Sequence, residues 1–311
     1  MSLQDRPHAG ALDAAEALLL DLYGGDSEPA AVFILGAPRT GSTLLYQAMA
    51  AALRLPYVSN FTSQHFAANP ILGIAIQNGI RIDIAFQSSY GKTVGAFQPS
   101  EGSAVMASWF GGGHPSQLVS TRILDGREPH FKRTLAAVAS MCGAPLLVKN
   151  AWHCFRVAYL ARALPQARFV WIRRDIRDAA HSDLEARVAT KGDRNAWNSA
   201  TPANVEELRK LPPHAQVVEN QLEFSRAVEM ALRAEAGARW LEVWYEDLVA
   251  EPSAVLARIG NLIGRAPVAL AEVPGVPVGR RRQLDEAAVR DYVAANRERL
   301  EGQLYRGRGE R

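Results

Sequence analysis

Apolar residues along this chain gather into short, nearly continuous runs, separated by longer stretches with helical periodicity. The runs Ala31–Leu35, Pro145–Val148, Arg168–Ile172 and Arg239–Trp244 have strand length and no in/out alternation, as expected of strands buried on both faces. Between them the pattern predicts helices at about Ala11–Leu22, closed by Gly24-Gly25, and from the turn Gly36–Thr43 to about Leu53. Further helices are predicted from about Phe131 to Met141, over His153–Ala163, and from near Asp175, where the aspartate is a candidate N-cap. The segment Asn204–Arg233 reads as mostly helical despite Pro212-Pro213, and helices close the chain at about Ser253–Ile263 and Asp285–Leu300. Alternation of such strands with helices predicts an α/β fold of three layers, a mostly parallel central sheet flanked by helices.

Residues 57–125 break the pattern. Turn signals recur at Asn69-Pro70, Ser88–Gly91, Gln98-Pro99 and Gly111-Gly112-Gly113. Aromatic residues are scattered through the segment (Phe61, Phe66, Phe86, Tyr90, Phe97, Trp109, Phe110), which would suit a pocket wall, or else core or lid packing. No internal repeat or low-complexity linker divides the chain, and its 311 residues fit one large α/β domain.

Composition narrows the function classes. A net charge of +3 with no Lys/Arg block long enough for a nucleic-acid track suits a small anionic ligand. Cys142 and Cys154 are the only cysteines, too few for a disulfide scaffold and without metal-ligand spacing. The N-terminal residues lack a secretory pattern and no apolar run reaches the roughly 18–20 residues that cross a bilayer, so a cytoplasmic protein free of the membrane is expected. Basic residues are 30 arginines against 5 lysines, in an alanine-rich chain, as in proteins of GC-rich bacterial genomes.

Two stretches carry the chemistry. In VFILGAPRTGSTLL (32–45) a strand enters a glycine turn and leaves as a helix, which aims backbone N–H groups and the positive end of the helix dipole at one point. Gly36 and Gly41 let the backbone curl, and Thr40, Ser42 and Thr43 add hydroxyl donors. The spacing is nearly that of a nucleotide phosphate loop, but the lysine position is Ser42 and a basic residue, Arg39, lies three places earlier. Ordinary ATP or GTP chemistry would want that lysine and an acidic ligand for Mg²⁺. In FVWIRRDIRDAAHS (169–182) an apolar strand ends in Arg173-Arg174, and Arg174 with Ser182, two turns along the helix, could grip one phosphate. Ligands of open parallel sheets bind beyond the carboxyl ends of the strands, so both stretches can face one crevice. Lys149 ends a buried apolar strand, where a charge is costly unless it meets a ligand or partner.

Together with WLEVWYEDLVAEPSAVLARIGNLIG (240–264), these stretches resemble in order three signatures of the sulfotransferases that use 3′-phosphoadenosine 5′-phosphosulfate (PAPS), in the bacterial and tyrosyl-protein-like branch of the P-loop sulfotransferases. The resemblance implies PAPS as co-substrate, adenosine 3′,5′-bisphosphate as product, no metal, and a hydroxyl (or amine) of a small or medium-sized molecule as acceptor. It implies that Arg39, Thr40, Gly41, Ser42 and Thr43 hold the 5′-phosphosulfate, that Arg174 and Ser182 hold the 3′-phosphate, and that Tyr245 lies near the adenine. PAPS has no γ-phosphate, so the missing lysine is no loss, and Arg39 offers a fork suited to oxyanions. The cofactor-binding core would be about 31–56, 145–190 and 239–264, with a pocket and lid region at about 57–130 and 190–235.

The chain departs from the animal cytosolic enzymes in two places. Lys149 is followed by Asn150-Ala151 rather than the Thr-His that supplies their base, and their glycine-rich C-terminal motif is missing, with Gly279-Arg280-Arg281-Arg282 as a candidate substitute. The bridging oxygen would be served by Lys149 and Arg39. For the general base the candidates are Glu101, in a Pro-x-Glu element like that of bacterial relatives, His153 four residues after Lys149, and His65. Two other readings remain open at this level: an atypical P-loop kinase or nucleotide hydrolase, and a nucleotide-binding homologue without catalysis.

Overall fold

The computed structural model describes residues 9–25, 28–112, 120–197, 200–268 and 286–307. Four strands, β1 (Ala31–Leu35), β4 (Leu146–Lys149), β5 (Arg168–Arg173) and β6 (Trp240–Trp244), form a parallel sheet in the order β4-β1-β5-β6. A separate hairpin joins β2 (Ser88–Ser89) and β3 (Lys92–Thr93). The central pairings put Val32 beside Arg168 and Ile34 beside Lys149, so all the strand ends that carry candidate residues emerge at one edge.

The pleat divides the interior in two, because successive side chains point to opposite faces of a strand. Phe33, Leu35, Leu146, Val148, Phe169 and Trp171 enter one core cluster. Val32, Ile34, Leu147, Val170, Ile172 and Val243 enter the other. The first face is covered by helices including Glu128–Cys142, Val157–Ala163 and Pro213–Glu235, through Phe131, Leu160 and Phe224. The second is covered by Ser42–Ala52 and Pro252–Ile263, through Leu45, Met49, Val255 and Ile259. Truncating a fully buried ring such as Phe169 to alanine would cost about 3–5 kcal/mol in lost burial and cavity formation. The predicted three-layer α/β architecture is therefore the observed one.

The differences from the sequence reading have local causes. The stretch Asn204–Arg233, read as mostly helical, holds two helices, Val205–Leu208 and Pro213–Glu235. Pro212 restricts the residue before it and donates no N–H, while Pro213 is pre-set for the first helical position. The helix expected over His153–Ala163 begins as a 3₁₀ turn, Ala151–Phe155, capped by Asn150, whose Oδ1 accepts from Trp152 N at 3.0 Å. A helix at Tyr245–Ala250, directly after β6, was not anticipated, nor were Asn60–His65, Pro70–Asn78 and Ser103–Phe110 within the turn-rich segment. No helix among the described residues is long and apolar enough to cross a membrane.

Candidate functional site

The turn after β1 is built around two glycines at which any side chain would be strained. A Cβ on Gly36 would stand 2.7 Å from Thr40 Oγ1 and 2.8 Å from Ile172 Cγ2. Gly41 has φ 86°, and a Cβ there would collide with the Tyr245 ring. Arg39 also takes a left-handed conformation, φ 67°, which costs a non-glycine residue of order 1 kcal/mol and survives only where surrounding contacts hold it. Those contacts are visible. Thr40 Oγ1 donates to Ala37 O at 2.8 Å, Gln221 Nε2 donates to Pro38 O at 2.7 Å, and Arg174 Nη1 donates to Arg39 O at 3.1 Å. Beneath the turn, Gly36 N donates to Cys154 Sγ at 3.3 Å, and burial pushes that thiol up to about 12. The helix Ser42–Ala52 starts from Gly41 without a side-chain cap, which leaves its first N–H groups available to an anion.

The second stretch meets the first directly. Arg39 Nε donates to Ser182 Oγ at 3.1 Å, and the Arg174 guanidinium lies 4.6 Å over the Tyr245 ring. The resemblance gives Arg39 and Ser182 to opposite ends of the donor, whereas the structure puts them in contact. Asp175 caps the helix Ile176–Lys191, accepting from Arg177 N at 3.0 Å, so Arg174 is held at the junction of strand and helix. Arg39 also lies 5.5 Å from the centre of Tyr90, at the tip of the β2–β3 hairpin, and Gly91 O in the same tip accepts from Thr43 Oγ1 at 3.4 Å.

A third group approaches the turn from the other side. Lys149 shares the sheet face of Leu147, the face covered by Ser42–Ala52, and its Nζ donates to Thr43 Oγ1 at 3.4 Å. The same ammonium pairs with Glu101 Oε1. The lysine side chain is 8% exposed and the glutamate 38%, so the pair sits at a boundary, with the carboxylate as its solvent edge. Asn150 Nδ2 donates to Glu101 O at 3.1 Å and fixes the loop that carries the carboxylate.

The other base candidates lie elsewhere. His153 is fully buried, with ring centres 5.3 Å from Phe33 and 5.6 Å from Phe110, and among the described residues neither ring nitrogen has a hydrogen-bond partner. Burial, and then the nearby Arg156 charge, hold its pKa well below the usual histidine range. His65 is exposed at the end of Asn60–His65, its ring 5.3 Å from Phe61. The aromatics of residues 57–125 divide: Trp109 and Phe110 are core, Phe61, Phe66 and Phe97 cluster together, and Tyr90 covers Arg39. Gly279–Arg282 lie outside the described residues. Sequence reasoning missed Gln221 and Asn150. Asn150 could have been noticed beside Lys149, but Gln221 sits inside an amphipathic helix with nothing to mark it.

The Sulfotransferase family model matches residues 29–266. Among solved structures, sulfotransferase STF9 from Mycobacterium avium aligns with a TM-score of 0.52 at 16% identity, over 93% of this chain and 72% of that one. Sulfotransferase STF1 from Mycobacterium tuberculosis aligns with a TM-score of 0.50 at 17% identity, over 84% of this chain and 74% of that one. At such identities the likeness concerns the fold. No curated protein sequence matches the chain.

Proposed function

The chain belongs to the sulfotransferase family, and on that premise we propose that it transfers the sulfuryl group of PAPS to a hydroxyl (or amine) of a small or medium-sized acceptor. One observation carries the reading: Lys149, Thr43 and Glu101 meet at the mouth of an uncapped glycine turn that has no lysine of its own. The residues present fit a donor with a doubly anionic end. The N–H groups at Gly41–Thr43, which have no side-chain cap, receive the phosphosulfate, and Arg174 with Ser182 receives the 3′-phosphate beside the Tyr245 ring.

In the transfer the acceptor oxygen bonds to sulfur while the S–O bond to the bridging phosphate oxygen breaks. Adenosine 3′,5′-bisphosphate departs with that electron pair, and the acceptor proton passes to Glu101. Lys149 is placed to stabilise the charge that grows on the bridging oxygen, a contribution largest in the transition state. Its pairing with Glu101 keeps a buried ammonium compensated and aims the carboxylate at the same spot. Asn150 keeps the Glu101 loop in position. His153 takes no part in this scheme, because its ring is enclosed by Phe33 and Phe110.

The experiment is a thermal-shift series without divalent cations, since a ligand that binds only the folded state raises the melting temperature by mass action. Adenosine 3′,5′-bisphosphate is expected to stabilise the protein strongly and adenosine 5′-monophosphate much less. Equal shifts from the two, a strict Mg²⁺ requirement, or a preference for ATP or GTP would overturn the donor assignment.

A further inference from the structure

The family match ends at residue 266, yet the C-terminal residues return to the same crevice. Helix Glu286–Ala295 and the turn Arg297–Leu300 lie against Ile176–Lys191 and Pro213–Glu235, sharing a core of Val289, Val293 and Leu300 with Ile176, Leu184 and Val218. Glu219 fastens them, accepting from Tyr292 OH at 2.8 Å and from Arg299 Nη1 at 2.7 Å. After Leu300 the chain crosses the carboxyl ends of β5 and β6 as a strap.

The strap is anchored to the helix cap next to Arg174. Tyr305 N donates to Asp175 Oδ2 at 3.1 Å, its hydroxyl donates to Asp247 Oδ1 at 2.8 Å, and its ring lies 5.5 Å from Trp244. Arg173, the first of the paired arginines, is used up here. Its guanidinium lies 4.7 Å from the Trp171 ring and 4.5 Å from the Trp244 ring, and it donates to Gly302 O and, at 2.9 Å, to Gln303 Oε1. Arginine has only donors, so this contact fixes which end of the Gln303 amide is oxygen. The amide nitrogen makes no hydrogen bond among the described residues, and Gln303 lines a cleft with Thr40, Arg174, Gln221 and Ser225.

We propose that the strap Gly302–Tyr305 forms a further wall of the nucleotide crevice, and that Gln303, oriented by Arg173, donates from its amide to a phosphate oxygen of the bound nucleotide. This rests on the PAPS reading above and adds to it a binding residue from outside the family's matched region. It also gives the two arginines of Arg173-Arg174 separate tasks: one meets the anion, the other holds the wall that meets it.

Titration calorimetry of the full chain with adenosine 3′,5′-bisphosphate tests it, comparing wild type with Gln303→Ala and Gln303→Glu. A hydrogen bond to a charged acceptor implies a loss of roughly 10-fold in affinity for Gln303→Ala, beyond the small drop in ligand-free melting temperature expected from losing the Arg173 contact. Gln303→Glu is expected to lose more than Gln303→Ala, because it sets a carboxylate against a phosphate. If Gln303 serves only to accept from Arg173, the order reverses, since a glutamate is the better partner for a guanidinium. Wild-type affinity in Gln303→Ala, or tighter binding by Gln303→Glu than by Gln303→Ala, overturns the strap proposal. Absence of binding by wild type would instead overturn the donor reading beneath it.

Discussion

Lys149 ends β4 and His153 stands four residues later in the 3₁₀ turn that follows, both deeply buried, and the fold treats them oppositely. Lys149 points to the face covered by Ser42–Ala52 and meets Thr43 and Glu101. His153 turns to the opposite core, where aromatic edges surround it and no polar atom among the described residues answers it. A buried charge needs compensation, and the pair with Glu101 supplies it. A buried imidazole has a cheaper escape, which is to stay neutral. Burial alone therefore does not mark a functional group. What distinguishes the lysine is a partner that keeps an edge open to solvent.

The sharpest way to break this contrast is at Glu101. Glu101→Gln is expected to slow turnover with an alcohol acceptor by roughly 10²–10⁴ while nucleotide binding persists. Near-normal turnover would remove Glu101 from the role of base and reopen the search. Lys149→Ala comes next, with a loss of about 10²–10³ in kcat and little change in donor affinity, because charge on the bridging oxygen grows only as the bond breaks. A change confined to KM would make the lysine a ground-state binding group instead.

Arg174→Ala is expected to act the other way round. Its charge meets the 3′-phosphate equally in ground and transition states, so KM for PAPS should rise by roughly 10- to 100-fold with kcat nearly kept. The smallest effect is expected at His153. His153→Phe should leave turnover within a few-fold of wild type and change the pH dependence of stability. The folded pKa lies below the ordinary value near 6.5, so as pH falls below that value the unfolded chain takes up a proton that the folded protein refuses. This one residue then subtracts up to about 1.4 kcal/mol per pH unit, and His153→Phe should flatten the acid side of a melting-temperature profile. An inactive His153→Phe that still binds nucleotide would erase the distinction between the two residues.

The sequence by itself determined the four strands of the central sheet, the glycine turn and the cap at Asp175, because each is a local matter. Continuous apolar runs give buried parallel strands, β1 lies where the run Ala31–Leu35 placed it, and Asp175 begins its helix as a cap must. Where two local rules compete, as at Pro212-Pro213, the weaker periodic signal yields to the proline and the helix breaks. The meeting of Arg39 with Ser182 spans 143 residues, that of Glu101 with Lys149 spans 48, and that of Gln221 with Pro38 spans 183. No periodicity encodes such separations. Only the tertiary structure decided which layer each side chain met, and so set Glu101 rather than His153 against Lys149, because β4 ends at Lys149 and the 3₁₀ turn that follows carries His153 into the opposite core.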